Sequence, residues 1–260
     1  MLTNRETQID LPKGFESVLL NEGGHGFYRV QYTPDLLAPL LRQMPEGLAP
    51  IERFNLVNDM WAAAIAGLIP LIDYLDLTAT FRADRDKNVW AILIDSFHTL
   101  NRIIDPGDRP GLEAFVRDRV APAFADLGWT PRPNESELTR QLRGELLRAL
   151  GTIGNDRAVQ EKAEELYARP ESVDPNLLPS IIAILAYAGD AARYQEYVQR
   201  FKAAPTPQEE RRYLYALPLF RPPALIEKTL AKSLNGEIRT QDAPFIVRML
   251  LTSAHGRELA

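Results

Sequence analysis

"LRALGTIGNDRAVQEKAEELY" (residues 147–167) and "IIAILAYAGDAARYQEYVQRF" (residues 181–201) decide the fold. In each, an apolar helical run ends at a glycine. An aspartate then starts a second helix, which carries Leu or aromatic residues at helical spacing. Gly154 and Gly189 stand one repeat apart, about 35 residues. Similar joints recur near "FRPPA" (220–224) and "AHGRE" (254–258).

Helix pairs recurring at roughly 33–35 residues mark a stacked array, in which each pair buries its apolar face on the next. The expectation is therefore an all-α chain, an α-α superhelix of the HEAT/armadillo kind. The competing reading is an irregular helical bundle with two similar hairpins.

Working outward, the helical period begins at Pro34. Ile51, Phe54, Val57, Trp61 and Ile65 share a helix face that Gly67 terminates. Val89, Leu93, Phe97, Leu100 and Ile104 form the next stripe. Leu112, Phe115, Val116, Val120, Phe124 and Leu127 follow, with a kink expected at Pro122, and then Leu138, Leu142, Leu146 and Leu150. Asp174-Pro175 reads as N-cap and first helical residue, and Thr206 to Glu209 as a capping box. About eleven or twelve helices are expected in all. Before them, "FESVLL" (15–20), the turn "NEGGHG" and "FYRVQY" (27–32) read as a β-hairpin. An isolated hairpin is marginal in water. Residues 1–33 are thus expected either to pack onto the helices or to be a β-hairpin or linker remnant of a preceding β-domain, and 34–260 to be the helical repeat domain.

Composition excludes several functions. The net charge is -5, with neither a basic balance nor a basic stripe for nucleic acid. There is no cysteine, so disulfides, thiol nucleophiles and thiolate metal sites are ruled out, which fits the cytoplasm. "MLTNRETQIDLPKG" has no apolar core for a signal peptide. "MWAAAIAGLIPLI" (60–72) is too short to span a bilayer, so no membrane partner is expected.

Motifs for chemistry are absent. His25, His98 and His255 are too scattered for a local zinc site. His98 reads as a partly buried structural residue; His25 and His255 read as solvated. "GTIG" (151–154) lies between helices and reads as a cap, not a nucleotide loop. Asp84, Asp86, Glu161, Glu164 and Glu165 sit among Arg and Lys and read as solvated faces. No catalytic residue and no metal ligand is assigned.

"NEGGHGFYRVQY" (21–32) resembles the Asn-x-x-x-x-Gly-Tyr-Tyr-Arg-Val-x-Tyr segment of zinc aminopeptidases of the aminopeptidase N and endoplasmic-reticulum aminopeptidase type. "APIERFNLVNDMWAAAIAG" (49–67) resembles that family's Asp-Arg-x-x-Leu-x-x-Asp-x-x-x-Leu-x-x-x-Gly helix, with Glu52 where Asp is usual, then Arg53, Asp59 and Gly67. "NVWAIL" (88–93), "LGW" (127–129) and "EIRTQDAPFIVRMLLTSAHGRELA" (237–260) resemble its later signatures. The resemblance implies the C-terminal helical domain of such an enzyme, with the lone hairpin left over from a β-sandwich domain. The family's His-Glu-x-x-His and Gly-x-Met-Glu-Asn motifs do not occur in this chain. The resemblance also implies further helices beyond "GRELA".

The same resemblance implies a non-catalytic role: covering the active-site cavity and bounding or contacting the peptide substrate. Zinc would belong to the presumed full-length enzyme, and the catalytic and β-sandwich domains would be partners. The candidates for contact with a peptide are Asn101, Arg102, Arg221 and Arg239, each of which also reads as an ordinary surface residue. Two rival classes remain: a free-standing helical-repeat interaction scaffold, and an independent enzyme whose site is assembled from distant residues.

Overall fold

The two stretches that mark the repeat fold as helical hairpins with the same joint. In the computed structural model, which describes residues 8–257 and 259 apart from 12 and 45, α6 (Glu137–Gly151) is followed by α7 (Arg157–Tyr167). Likewise α8 (Leu178–Ala188) is followed by α9 (Ala191–Ala203). The second helix of each pair is capped by the expected aspartate. Asp156 accepts from the Val159 amide at 3.1 Å, and Asp190 from the Ala192 and Arg193 amides at 3.0 Å. The glycines are required by space and not by φ. A Cβ on Gly154 would lie 2.8 Å from the Leu150 carbonyl oxygen, and one on Gly189 would lie 2.5 Å from that of Leu185.

Among the described residues there are twelve α-helices and no strand. The chain divides into two compact units, the first ending at Phe81 and the second starting at Arg82. The first holds α1 (Pro34–Arg42), α2 (Pro50–Ile65) and α3 (Leu71–Leu77). The second holds α4 (Lys87–Ile103), α5 (Arg109–Leu127), the four helices above, α10 (Pro207–Leu214), α11 (Pro223–Leu234) and α12 (Ala243–Leu251). Sequence neighbours pair: α5 with α6, α7 with α8, α9 with α10, α11 with α12. Alternate helices also meet, α4 with α6, α6 with α8 and α8 with α10. A buried aromatic cluster ties the later helices, with Tyr197 edge-on to Tyr213 (5.1 Å) and Tyr194 edge-on to Phe220 (5.2 Å).

The expected β-hairpin is not seen. Glu22–Gly24 form a 3-10 turn with Gly23 and Gly24 at positive φ, closed by Asn21, which accepts from the Gly26 amide at 2.5 Å. The backbone amides of the flanking segments find side chains instead of a partner strand. Leu20 N–H donates to the Tyr32 hydroxyl (2.8 Å), Gly23 N–H to Glu52 (3.0 Å) and Val30 N–H to Asp59 (3.0 Å). Val30 and Tyr32 are buried while Phe27, Tyr28, Arg29 and Gln31 are exposed, so the alternation is real but single-stranded.

Those acceptors correct the first expected stripe. The buried face of α2 carries Glu52, Arg53, Leu56, Val57, Asp59, Met60 and Ala63, while Ile51 and Ile65 are exposed. Glu52 also accepts from the Ala49 amide (2.7 Å), and Arg53 donates to the Leu48 carbonyl (2.7 Å). The polar positions that carry the resemblance are thus buried fasteners. Leu138 is likewise exposed, because it sits in the first turn of α6. Asp84 is buried, accepting from the Asp86 amide (2.7 Å), with the Trp90 indole donating to its carbonyl (2.9 Å). Glu161 and Glu165 pair along α7 with Arg157 and Lys162, as read. The Asp174-Pro175 signal starts a turn: α8 begins at Leu178, after Leu177 N–H has bonded the Asp174 carbonyl (2.9 Å). Thr206 caps α10 through the Glu209 amide (3.2 Å), with Pro207 first in the helix. The joint expected at 254–258 lies in part outside the described residues.

Candidate functional site

The alternate helices of the second unit line a run of cavities that share walls. The largest, about 690 Å³, is bounded by α6 (Arg148), α8 (Pro179, Ala183), α10 (Gln208, Arg211, Arg212), the turn after it (Tyr215, Leu219) and the start of α12 (Asp242, Phe245). Arg148 and Leu219 also line a small cavity of about 80 Å³ with His98, Asn101, Tyr187 and His255. His98 and Thr252 are shared in turn with a cavity of about 300 Å³ holding Asp95, Arg102 and Arg248. Helices α4, α6, α8, α10 and α12 therefore all contribute. Helices α7 and α9 line a separate polar hollow with the α8 terminus, around Asn155 and Asp190.

His98 also departs from its sequence reading. It is exposed, not partly buried. Yet its pKa is lowered to about 4, by the protein packed around it and then by the Arg148 charge. The pKa of Arg148 is lowered too, by the same crowding, partly offset by Glu145. Surface area leaves both side chains open to solvent, while the desolvation acting on both needs protein on most sides. The two conditions meet on the floor of a concave surface. His255 is half-buried and not solvated: its Nδ1 lies 3.4 Å from Arg109, its Nε2 has no partner among the described residues, and its ring tilts against Tyr187. Burial, Arg109 and Arg221 hold its pKa down to about 4.

The four residues singled out from sequence are not brought together. Asn101 is buried and lines the small cavity. Arg102 lines the neighbouring one, and its carbonyl accepts from Arg257. Arg221 lies over the Tyr187 ring at 4.4 Å and donates to the Tyr187 carbonyl at 2.7 Å. Arg239 is held between Glu210 (2.9 Å) and Asp242 (3.3 Å), so its charge is already answered. Sequence reasoning missed Arg148, Arg211, Arg212 and Arg248. Among the described residues none of these forms an ion pair within 4.0 Å. A signal existed for Arg148, which interrupts the apolar run "LLRALG" (146–151), where a guanidinium needs an opening to water.

The "LGW" signature is structural. Gly128 at φ 66 carries the chain out of α5, and Trp129 packs edge-on against Phe124. Arg143, wholly buried on α6, reads this turn through the Gly128 carbonyl (3.0 Å) and pairs with Glu135 at 2.5 Å. Its hydrogen bond holds the Glu135 carboxyl below the usual range.

With this geometry in place, similarity to known proteins is decisive. Residues 17–260 match the family described as ERAP1-like C-terminal domain. The chain belongs to that family. Aminopeptidase M1-A of Oryza sativa subsp. japonica is 28% identical over 251 residues, 92% of this chain and 28% of the relative. Aminopeptidase M1 of Arabidopsis thaliana is 29% identical over 256 residues, 94% of this chain and 29% of the relative. Glutamyl aminopeptidase of Sus scrofa is 24% identical, covering 96% and 27%. These matches make the chain a C-terminal domain of the M1 aminopeptidase type, spanning under a third of the curated relatives it matches. Among the described residues no group of three His, Cys, Asp or Glu side chains fits a metal ion. No helix among them is long and apolar enough to cross a membrane.

Proposed function

We propose that this domain is a non-catalytic cover of a zinc aminopeptidase, bounding the cavity that admits the peptide and contacting the peptide's distal part. The second unit is then an α-α superhelix whose inner layer is α4, α6, α8, α10 and α12. The observation that carries the reading is that these alternate helices converge on one run of adjoining cavities. A groove walled by many helices suits an extended peptide, because each helix offers side chains along its length. The zinc and the groups that grip the free amine belong to a catalytic domain outside this chain, with a β-sandwich domain between. In the first unit Phe27, Ile65, Leu68 and Ile72 are all strongly exposed, a density that suits cover by a neighbouring domain.

The test is peptide length. In the full-length enzyme, Gln208→Trp and Gln241→Trp would place bulk at exposed positions of the large cavity. KM should rise for longer peptides, by about tenfold or more, while an aminoacyl chromogenic substrate is turned over unchanged. Equal loss at every length, or none at any length, would overturn the reading.

A further inference from the structure

Charge is distributed unevenly in this molecule. The chain carries a net -5, yet the cavity of about 690 Å³ gathers three guanidiniums, Arg148, Arg211 and Arg212, against one carboxylate, Asp242. That carboxylate is buried and already bonded to Arg239 at 3.3 Å. Two further carboxylates are also engaged: Glu210 with Arg239 (2.9 Å) and Glu145 with Lys87 (3.2 Å). Among the described residues the three arginines have neither an ion-pair partner nor a side-chain hydrogen bond. Elsewhere in the second unit several arginines are paired, as Arg85 is with Asp126 and Arg200 with Glu196, whereas Arg248 is not paired among the described residues. The distinctive feature is that three guanidiniums without an ion pair among the described residues line one cavity.

We infer that this cavity selects peptides by negative charge, taking Asp or Glu side chains that lie distal to the residue being removed. The inference deepens the proposed function and rests on it in one respect, that a peptide enters this cavity. A single chain-terminal carboxylate would answer one guanidinium and leave the others unmatched; several acidic side chains answer all three. Each guanidinium offers a planar fork that fits a carboxylate, and low local dielectric strengthens the contact. Tyr215 and Phe245, the latter half-exposed, and the apolar Leu219 supply surface for the rest of the peptide.

The experiment uses this chain and fluorescein-labelled peptides followed by anisotropy. One peptide has several Glu residues after its first positions, a second has Gln in their place, and both are C-terminally amidated. A third is the Gln peptide with a free carboxylate. The Glu peptide should bind about tenfold tighter than its Gln counterpart, with the preference fading at high salt. Arg211→Gln/Arg212→Gln, exposed or half-exposed positions whose replacement leaves the thermal midpoint in place, should erase the preference. Histidine NMR gives a second readout. A carboxylate seated on Arg148 cancels its effect on His98, so the His98 titration should move upward with the Glu peptide and stay put with the Gln peptide.

Equal binding of Glu and Gln peptides, a preference untouched in the double variant, no binding of any peptide, or a preference set only by the free carboxylate would each overturn the inference. The outcome separates from that of the length test. A Glu preference with no length dependence in the parent enzyme removes the cover role and keeps this site. Length dependence without a Glu preference does the reverse.

Discussion

Removing Arg143 should cost this domain more than any surface charge does. Its side chain is 1% exposed and that of its partner Glu135 7%, at 2.5 Å, and it donates to the Leu127 and Gly128 carbonyls that shape the turn after α5. Arg143→Ala leaves a carboxylate without its cation, two carbonyls without a donor, and a void. Breaking a buried pair from one side costs about 3–5 kcal/mol. For a unit of this size that lowers the thermal midpoint by about 6–20 °C. An exposed pair would cost under about 1 kcal/mol. The pH response gives a second check. Glu135 is held below its ordinary 4.5, so its stabilising contribution is full above that value and is lost as pH falls through the lowered one. In Arg143→Ala this acid sensitivity should largely vanish. Urea melts of both proteins between neutral pH and mildly acid pH are the assay. A loss under about 1 kcal/mol, or unaltered acid sensitivity, would refute the assignment of the pair as a buried anchor.

Further outcomes follow from the same contacts. Gly189→Ala should destabilise by about 1–3 kcal/mol, since its Cβ meets the Leu185 carbonyl and Phe220, whereas Gly111→Ala, in a helix with open space around it, should stabilise by about 0.4–1 kcal/mol. Chemical denaturation of both variants reads the contrast. Asp59→Ala should cost about 1.5–3 kcal/mol and speed hydrogen exchange at the Val30 amide, which it now accepts from. His98 should stay neutral until about pH 4; its lowered folded value means a stability contribution that is full above 6.5 and declines as pH falls from there toward 4, measured by NMR titration and by melts.

Much of the helical layout was legible because it rests on local chemistry. Asp156, Asp190 and Thr206 announce helix starts by accepting from amides within three residues, and Gly67 ends α2 at positive φ. What failed was long-range. "FYRVQY" alternates like a strand, but whether a strand finds another strand or side chains such as Asp59 is set some thirty residues away. Polar residues on the buried face of α2 displaced the apolar stripe in part for the same reason: Glu52 and Asp59 accept from the Gly23 and Val30 amides, although Glu52 and Arg53 also bond the residues just before the helix. The cavity cations were hidden because Arg148, Arg211 and Arg212 become neighbours only when α6 and α10 flank α8. Arg239 looked available in "IRTQD" because its two carboxylate partners include Glu210, on α10.

The proposed role makes this chain one domain of a larger zinc peptidase. The direct measurement is made on the native polypeptide, captured from its source with antibodies against this chain: intact mass, bound zinc, and release of N-terminal residues from peptides. The account predicts a species several times heavier than 29.3 kDa, carrying zinc and removing N-terminal residues. A 29.3 kDa species without zinc or that activity, isolated bound to some other protein, would contradict it.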